Sequence, residues 1–186
     1  MNKIKSILII GVILATALPV MAQRKRISPH ETISSAIDGN KVTIVYGRPY
    51  SKDPKSGEIR KIWGTLVPYG KVWRTGADEA TLLTTEQPIV MGGTTVPAGT
   101  YSLFTLPAAD GTAKLIINKR TGQWGIPYKE QNEATNELAR IDLKKDTLDK
   151  TVDQFTMAIE PNPSGGGVLK MMWENTQFSV PFTVKK

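Results

Sequence analysis

The chain of 186 residues carries 24 Lys and Arg against 17 Asp and Glu, one histidine and no cysteine, for a formal net charge of +7. That length makes one domain and is short for two, and with no disulfide available the hydrophobic core has to suffice. The basic residues are dispersed, at Arg24-Lys25-Arg26, Lys119-Arg120, Lys144-Lys145 and Lys185-Lys186; they form no stripe interleaved with stacking aromatics, which argues against a nucleic-acid partner and for a solubilising surface with a basic arm.

The chain opens on Lys3 and Lys5, then an uncharged, almost wholly apolar run over residues 7–18, then Pro19 and the pattern Val20-Met21-Ala22 before Gln23. This is the layout of a secretory signal peptide, residues 1–22. The apolar run is about a dozen residues, short for a ~30 Å hydrocarbon core. No cysteine follows it to take a lipid. Loss of Lys3 and Lys5 lowers the formal charge from +7 to +5, and no later segment approaches 18 apolar residues. The expectation is an exported chain, periplasmic or extracellular, whose residues 23–186 form one β-rich domain with no transmembrane segment after processing.

Beyond the leader the dominant period is two. Val42, Ile44 and Tyr46 alternate with Thr43 and Val45, and Ala113, Leu115 and Ile117 with Lys114, Ile116 and Asn118. Phe155, Met157 and Ile159 alternate with Thr156, Ala158 and Glu160, and Leu169, Met171 and Trp173 with Lys170 and Met172. Phe178, Val180, Phe182 and Val184 alternate with Ser179, Pro181 and Thr183. Successive strand side chains face opposite sides, so each run predicts a strand with one buried face. Pro181 donates no ladder hydrogen bond, which predicts a sheet edge for the last run.

Turn chemistry separates these runs. Asp38-Gly39-Asn40 precedes the first, and Met91-Gly92-Gly93 and Pro97-Ala98-Gly99 bracket Thr94-Thr95-Val96. Asp110-Gly111 between residues 101–106 and 113–118 predicts a hairpin, and residues 161–167 a flexible loop. Residues 129–138 hold Glu130, Glu133, Ala134 and Glu137 and read as a short surface helix or a mobile loop; residues 146–149 could make one helical turn. The connections are too short for helical crossovers. The predicted fold is all-β: a single antiparallel β-sandwich or barrel-like domain of about ten strands with at most one short helix.

The densest unusual segment spans residues 63–81, with Trp63, Trp73, Tyr69, three glycines, Arg74, Asp78 and Glu79. Rings supply flat apolar faces, and a guanidinium with carboxylates supplies directional hydrogen bonds, so this composition suits a sugar or small polar ligand. The structural alternative is that Trp63 and Trp73 fill the core and Arg74 pairs with Asp78 or Glu79 to pin a turn. Gln123-Trp124-Gly125 is a second candidate, in which Trp124 is either a ligand platform or a lid on one end of the fold. Trp173 falls on the apolar face of its strand and reads as core.

The same segments resemble a known bacterial family. Arg48-Pro49, Lys61-Ile62-Trp63-Gly64, the run from Leu66 through Val72-Trp73-Arg74-Thr75-Gly76-Ala77, Glu79-Ala80-Thr81, the run from Pro97-Ala98-Gly99 to Leu103-Phe104, Asn118-Lys119, Gln123-Trp124-Gly125 and Trp173-Glu174-Asn175-Thr176 are similar to domain of unknown function 2911. The resemblance covers about residues 28–184. It implies an exported β-rich protein and carries no established activity, so no catalytic residue is transferred from it. Asp78 stands where that family usually has asparagine, and residues 51–60 are longer and more polar than its usual connection.

His30 is the lone histidine, near the new N-terminus and beside Pro29. A Ser-His-Asp mechanism would have to use it, and a flexible arm supports a base poorly, so it reads as a surface histidine. One histidine and no cysteine argue against zinc catalysis, and no EF-hand or phosphate-cradling loop is present, so no cofactor is predicted. Asp78 and Glu79 are adjacent and would face opposite sides of a strand.

The leading expectation is a non-enzymatic envelope module that binds a glycan or small polar ligand through Trp73, Arg74, Asp78, Glu79 and Trp124. Two alternatives stand beside it. One is a carbohydrate-active hydrolase pairing Glu79 with a second acid such as Glu58, Glu86 or Glu174. The other is a structural or interaction domain in which Arg74, Asp78 and Glu79 are buried and mutually satisfied.

Overall fold

The alternating runs become nine strands in a computed structural model that describes residues 26–124, 128 and 134–185. They are β1 (His30–Ile37), β2 (Asn40–Gly47), β3 (Thr81–Thr85), β4 (Ile89–Met91), β5 (Thr94–Val96), β6 (Gly99–Pro107), β7 (Ala113–Asn118), β8 (Glu137–Pro161) and β9 (Gly167–Val184). The expected signal peptide lies outside the described residues, as do residues 129–133 of the expected helix or loop. Ala134–Asn136 form one 3-10 turn, and strand begins at Glu137. No helix among the described residues is long and apolar enough to cross a membrane.

All neighbouring strands are antiparallel, in the order β1-β2-β3-β6-β7-β8-β9-β4-β5. The fold class is all-β, as the period predicts. The predicted hairpin joins β6 to β7, with Asp110 accepting from the Thr112 N–H at 2.9 Å. The predicted loop joins β8 to β9, closed by the Asn162 N–H on Gly166 O at 2.9 Å.

Strand lengths depart from expectation. The Leu169 and Phe178 runs are one strand of 18 residues, and the Phe155 run ends a strand of 25. β8 pairs with β7 up to Leu143 and with β9 from Lys144 onward, so one strand serves both halves of the sheet. Its register shifts between Thr147 and Val152 and again between Val152 and Thr156. Extra residues on one strand of a pair bend it and increase its twist. Residues 146–149 are therefore strand running into a bulge, not the helical turn expected: Asp146 and Thr147 pair with Gln177 and Thr176 of β9.

Pro181 is likewise corrected. β9 is interior, flanked by β8 and β4. Its pairing with β8 ends at Ser179 and that with β4 begins at Phe182, so the proline sits in the handover, where no ladder bond needs its missing N–H.

The bend folds the two halves face to face. Ile44, Leu83, Leu103 and Leu115 of the first half and Phe155, Met171, Phe178 and Phe182 of the second share one buried cluster. Past β2, the backbone also joins β8, through Phe155 N–H to Pro49 O at 2.9 Å and Ser51 N–H to Asp153 O at 2.6 Å. β6 and β7 are buried on both faces. Their outer face carries Phe104 and Ile116 and is covered by Val72, Ala80 and Tyr128. The irregular stretch between β2 and β3 thus lies across the sheet, and it carries the candidate site.

Candidate functional site

Residues 73–81 form a turn fixed to β6 at several points. Trp73 and Thr105 exchange two backbone hydrogen bonds of 2.8 Å. Thr75 Oγ1 bonds Thr105 Oγ1 at 2.7 Å, and Thr81 Oγ1 donates to Thr75 O at 2.6 Å. These bonds hold Thr75 at φ 56° and Asp78 at φ 64°. A β-branched side chain in the left-handed region is disfavoured by about 1–2 kcal/mol. Such conformations persist where the surroundings over-determine them, and they cluster at ligand sites. The turn also crosses the end of β2 closely: Ala77 N–H donates to Gly47 O at 3.2 Å, and a Cβ on Gly47 would lie 2.3 Å from Ala77 O.

Trp73 is packed, with 9% of its surface exposed. Its Nε1–H donates to Gly76 O at 3.1 Å, its indole stacks on Trp173, and Trp63 and Phe155 meet it edge-on at 6.2 and 5.0 Å between centroids. The apolar phase of Trp173 holds: it is 1% exposed.

Above this aromatic floor lies a cavity of about 450 Å³, with Tyr50, Arg60, Trp73, Arg74, Asp78 and Trp173 among its walls. Lys55 and Asp53 line it too. Arg74 is half-buried; among the described residues its guanidinium makes one hydrogen bond, from Nε to Gly76 O at 3.4 Å, and no ion pair. Burial lowers its pKa, partly offset by the charges of Asp78 and Glu79. The predicted pinning pair of Arg74 with an acid is not made, nor are Arg74, Asp78 and Glu79 buried and mutually satisfied. Arg60 donates to Tyr50 O, and its Nη1 stands 3.9 Å from Asp53 Oδ2. Its Nε is sealed from solvent without a hydrogen-bond partner.

The acids of the turn meet at His30. Asp78 and Glu79 were expected to diverge as strand neighbours, but they stand in a turn, with the left-handed φ at Asp78, and converge instead. Asp78 Oδ2 and Glu79 Oε2 each lie 3.4 Å from His30 Nε2. Arg26 forms an ion pair with Glu79 Oε1. Desolvation raises the Glu79 pKa, but the Arg26 hydrogen bond, a backbone bond and the Arg26 and His30 charges outweigh it and hold the carboxyl below its usual range. His30 is not on a flexible arm. It is the first residue of β1, paired with Gly47, and its side chain is 22% exposed.

The structure therefore gathers Trp73, Arg74 and Asp78 at one cavity and leaves Glu79 beside Asp78 but outside the cavity wall. Trp124 pairs with Glu79 through a backbone bridge, its residue 41% exposed and outside the cavity wall. Glu58, Glu86 and Glu174 do not line the cavity either. Sequence reasoning missed Tyr50 and Arg60. Tyr50 precedes the polar stretch 51–60 and Arg60 ends it, and the Arg60 N–H that closes it onto Ser51 O at 2.9 Å has no periodic signature.

A family model described as "Protein of unknown function (DUF2911)" matches residues 28–182. No curated protein and no solved structure matches the chain. With the match running from before β1 to Phe182 in β9 and taking in the whole 73–81 turn, the chain belongs to the DUF2911 family.

Proposed function

We propose that the protein is an exported, non-enzymatic binding module of the cell envelope, freed of residues 1–22, whose ligand is a small polar molecule or glycan unit carrying an anionic group. The observation that carries this reading is the half-buried, unpaired Arg74 guanidinium in the wall of a cavity shared with ring faces. Cavities of about 300–1,000 Å³ that combine apolar walls with a few polar groups are typical of small-ligand sites. A guanidinium offers a planar fork to a carboxylate or phosphate, and its attraction is stronger where water is partly excluded. Arg60 and Lys55 add positive charge, while Asp53 and Asp78 provide acceptors for hydroxyls. Binding is favoured over hydrolysis because Glu79, the acid the hydrolase reading relies on, faces His30 and Arg26 rather than the cavity.

The test is a ligand screen by nuclear magnetic resonance using uronic acids, neutral sugars and small dicarboxylates. Acidic ligands are expected to shift the Arg74 and Tyr50 resonances. Arg74→Gln is expected to weaken them by more than about tenfold, since hydrogen bonds to charged groups contribute ~1.5–3 kcal/mol. Tyr50→Ala, at a residue 41% exposed, probes the same wall without entering the core. No binder at millimolar concentration, or binding indifferent to both substitutions, overturns the proposal.

A further inference from the structure

We propose that His30, Asp78 and Glu79 form a binding site for a divalent transition-metal ion such as zinc, at the edge of the cavity. Each residue offers one donor atom, and all three atoms lie within 4.8 Å of one another. The imidazole Nε2 stands 3.4 Å from an oxygen of each carboxylate. Donors bound at ~2.0–2.2 Å in a tetrahedron are about 3.4 Å apart, the separation that the imidazole nitrogen keeps from each carboxylate. The nitrogen-plus-carboxylate composition suits zinc, which accepts three protein ligands and leaves the fourth position to water. Calcium and magnesium prefer oxygen alone.

A second observation points the same way. Glu79 Oε2 is sealed from solvent and accepts no hydrogen bond. An imidazolium Nε2–H has one proton for two acids, so with Asp78 Oδ2 as its acceptor it stands 3.4 Å from Glu79 Oε2 without a hydrogen bond to it. A cation between the three groups satisfies it. Two carboxylates around a neutral imidazole carry two negative charges, and Arg26, whose side chain is 40% exposed, compensates one of them. The site joins distant parts of the chain: β1 brings His30, the turn brings both acids, and β2 holds the two together through Gly47. Because Asp78 also lines the cavity, the ion would sit at its rim. The inference is independent of the anionic-ligand reading, which rests on Arg74.

The experiment titrates chelator-stripped protein with Zn²⁺ by calorimetry and follows the imidazole by long-range ¹H–¹⁵N spectra. With one histidine in the chain, those spectra report a single ring. The expected result is one ion per chain at micromolar affinity, a displaced Nε2 resonance, and cobalt absorption bands when Co²⁺ replaces zinc. His30→Ala and Glu79→Gln should each weaken binding by more than about tenfold, the loss that even outer-shell changes produce. Arg26→Gln, on an exposed residue, should tighten it by removing a competing cation. Failure to bind below millimolar Zn²⁺, an Nε2 resonance unmoved at saturation, or parent-like affinity in the His30 and Glu79 variants overturns the site. None of these outcomes bears on the effect of Arg74→Gln upon acidic ligands, so the two proposals fail separately.

Discussion

The indole of Trp73 lies on that of Trp173, ring centroids 5.8 Å apart and planes inclined by 20°. One ring comes from the irregular turn and the other from the middle of β9, so the stack fastens the candidate site to the core. Trp173 also lines the cavity, with its Nε1 sealed from solvent and without a hydrogen-bond partner. The same pair thus packs the core and floors the cavity.

Trp73→Ala is expected to cost about 3–5 kcal/mol of stability, the range for emptying an aromatic site in a packed core. Trp73→Phe keeps a ring against Trp173 but loses the Nε1 hydrogen bond to Gly76 O, and should cost less. Urea denaturation followed by tryptophan fluorescence and by circular dichroism measures both. Equal losses in the two variants would show that the hydrogen bond, not the ring, fixes the turn.

Gly47→Ala isolates the close crossing of the turn over β2. Gly47 is not in the left-handed region, so the added Cβ brings no backbone penalty, only its collision with Ala77 O at 2.3 Å. The expected loss is about 1–3 kcal/mol, as for other overpacked sites. The turn should move with it, so the His30 imidazole resonance should shift in the variant at neutral pH. A variant of parent stability and unchanged imidazole signal contradicts the crossing.

Tyr46 predicts the alkaline limit. Its hydroxyl donates to Glu31 Oε2 at 2.8 Å and accepts from the Met157 N–H at 3.0 Å, and burial pushes its pKa up from 10.0 to about 12. The folded state thus favours the neutral phenol. Its stabilisation is fully present below pH 10 and declines as pH rises from there toward 12. Tyr46→Phe should lose about 1–3 kcal/mol at neutral pH by orphaning the Met157 N–H. The difference between parent and variant should then shrink above pH 10, read from thermal unfolding at stepped pH. A constant difference up to pH 12 would contradict this assignment.

The all-β character was legible because alternation is local: Ile44, Leu115 and Met171 each declare a buried face through immediate neighbours, and Asp110-Gly111 declares its own hairpin. Family membership was legible for the same reason, in contiguous strings such as Val72-Trp73-Arg74-Thr75-Gly76-Ala77. The handover at Pro181 was not, because a proline reports a missing N–H and not which strand lies alongside.

What the amino-acid order determined by itself is where pleated segments begin and end and which of their faces is apolar. Tertiary structure alone decided that β8 bends through two register shifts to serve both halves. It also sent Arg74 and Asp78 to the cavity and brought Asp78 and Glu79 to a histidine 48 residues before Asp78 in the chain. The physical reason is range. Alternation and turn propensity act over a few residues, whereas the convergence on His30 depends on pairing between β1 and β2, on a glycine crossing, and on two left-handed residues held in place by Thr105 and Thr81.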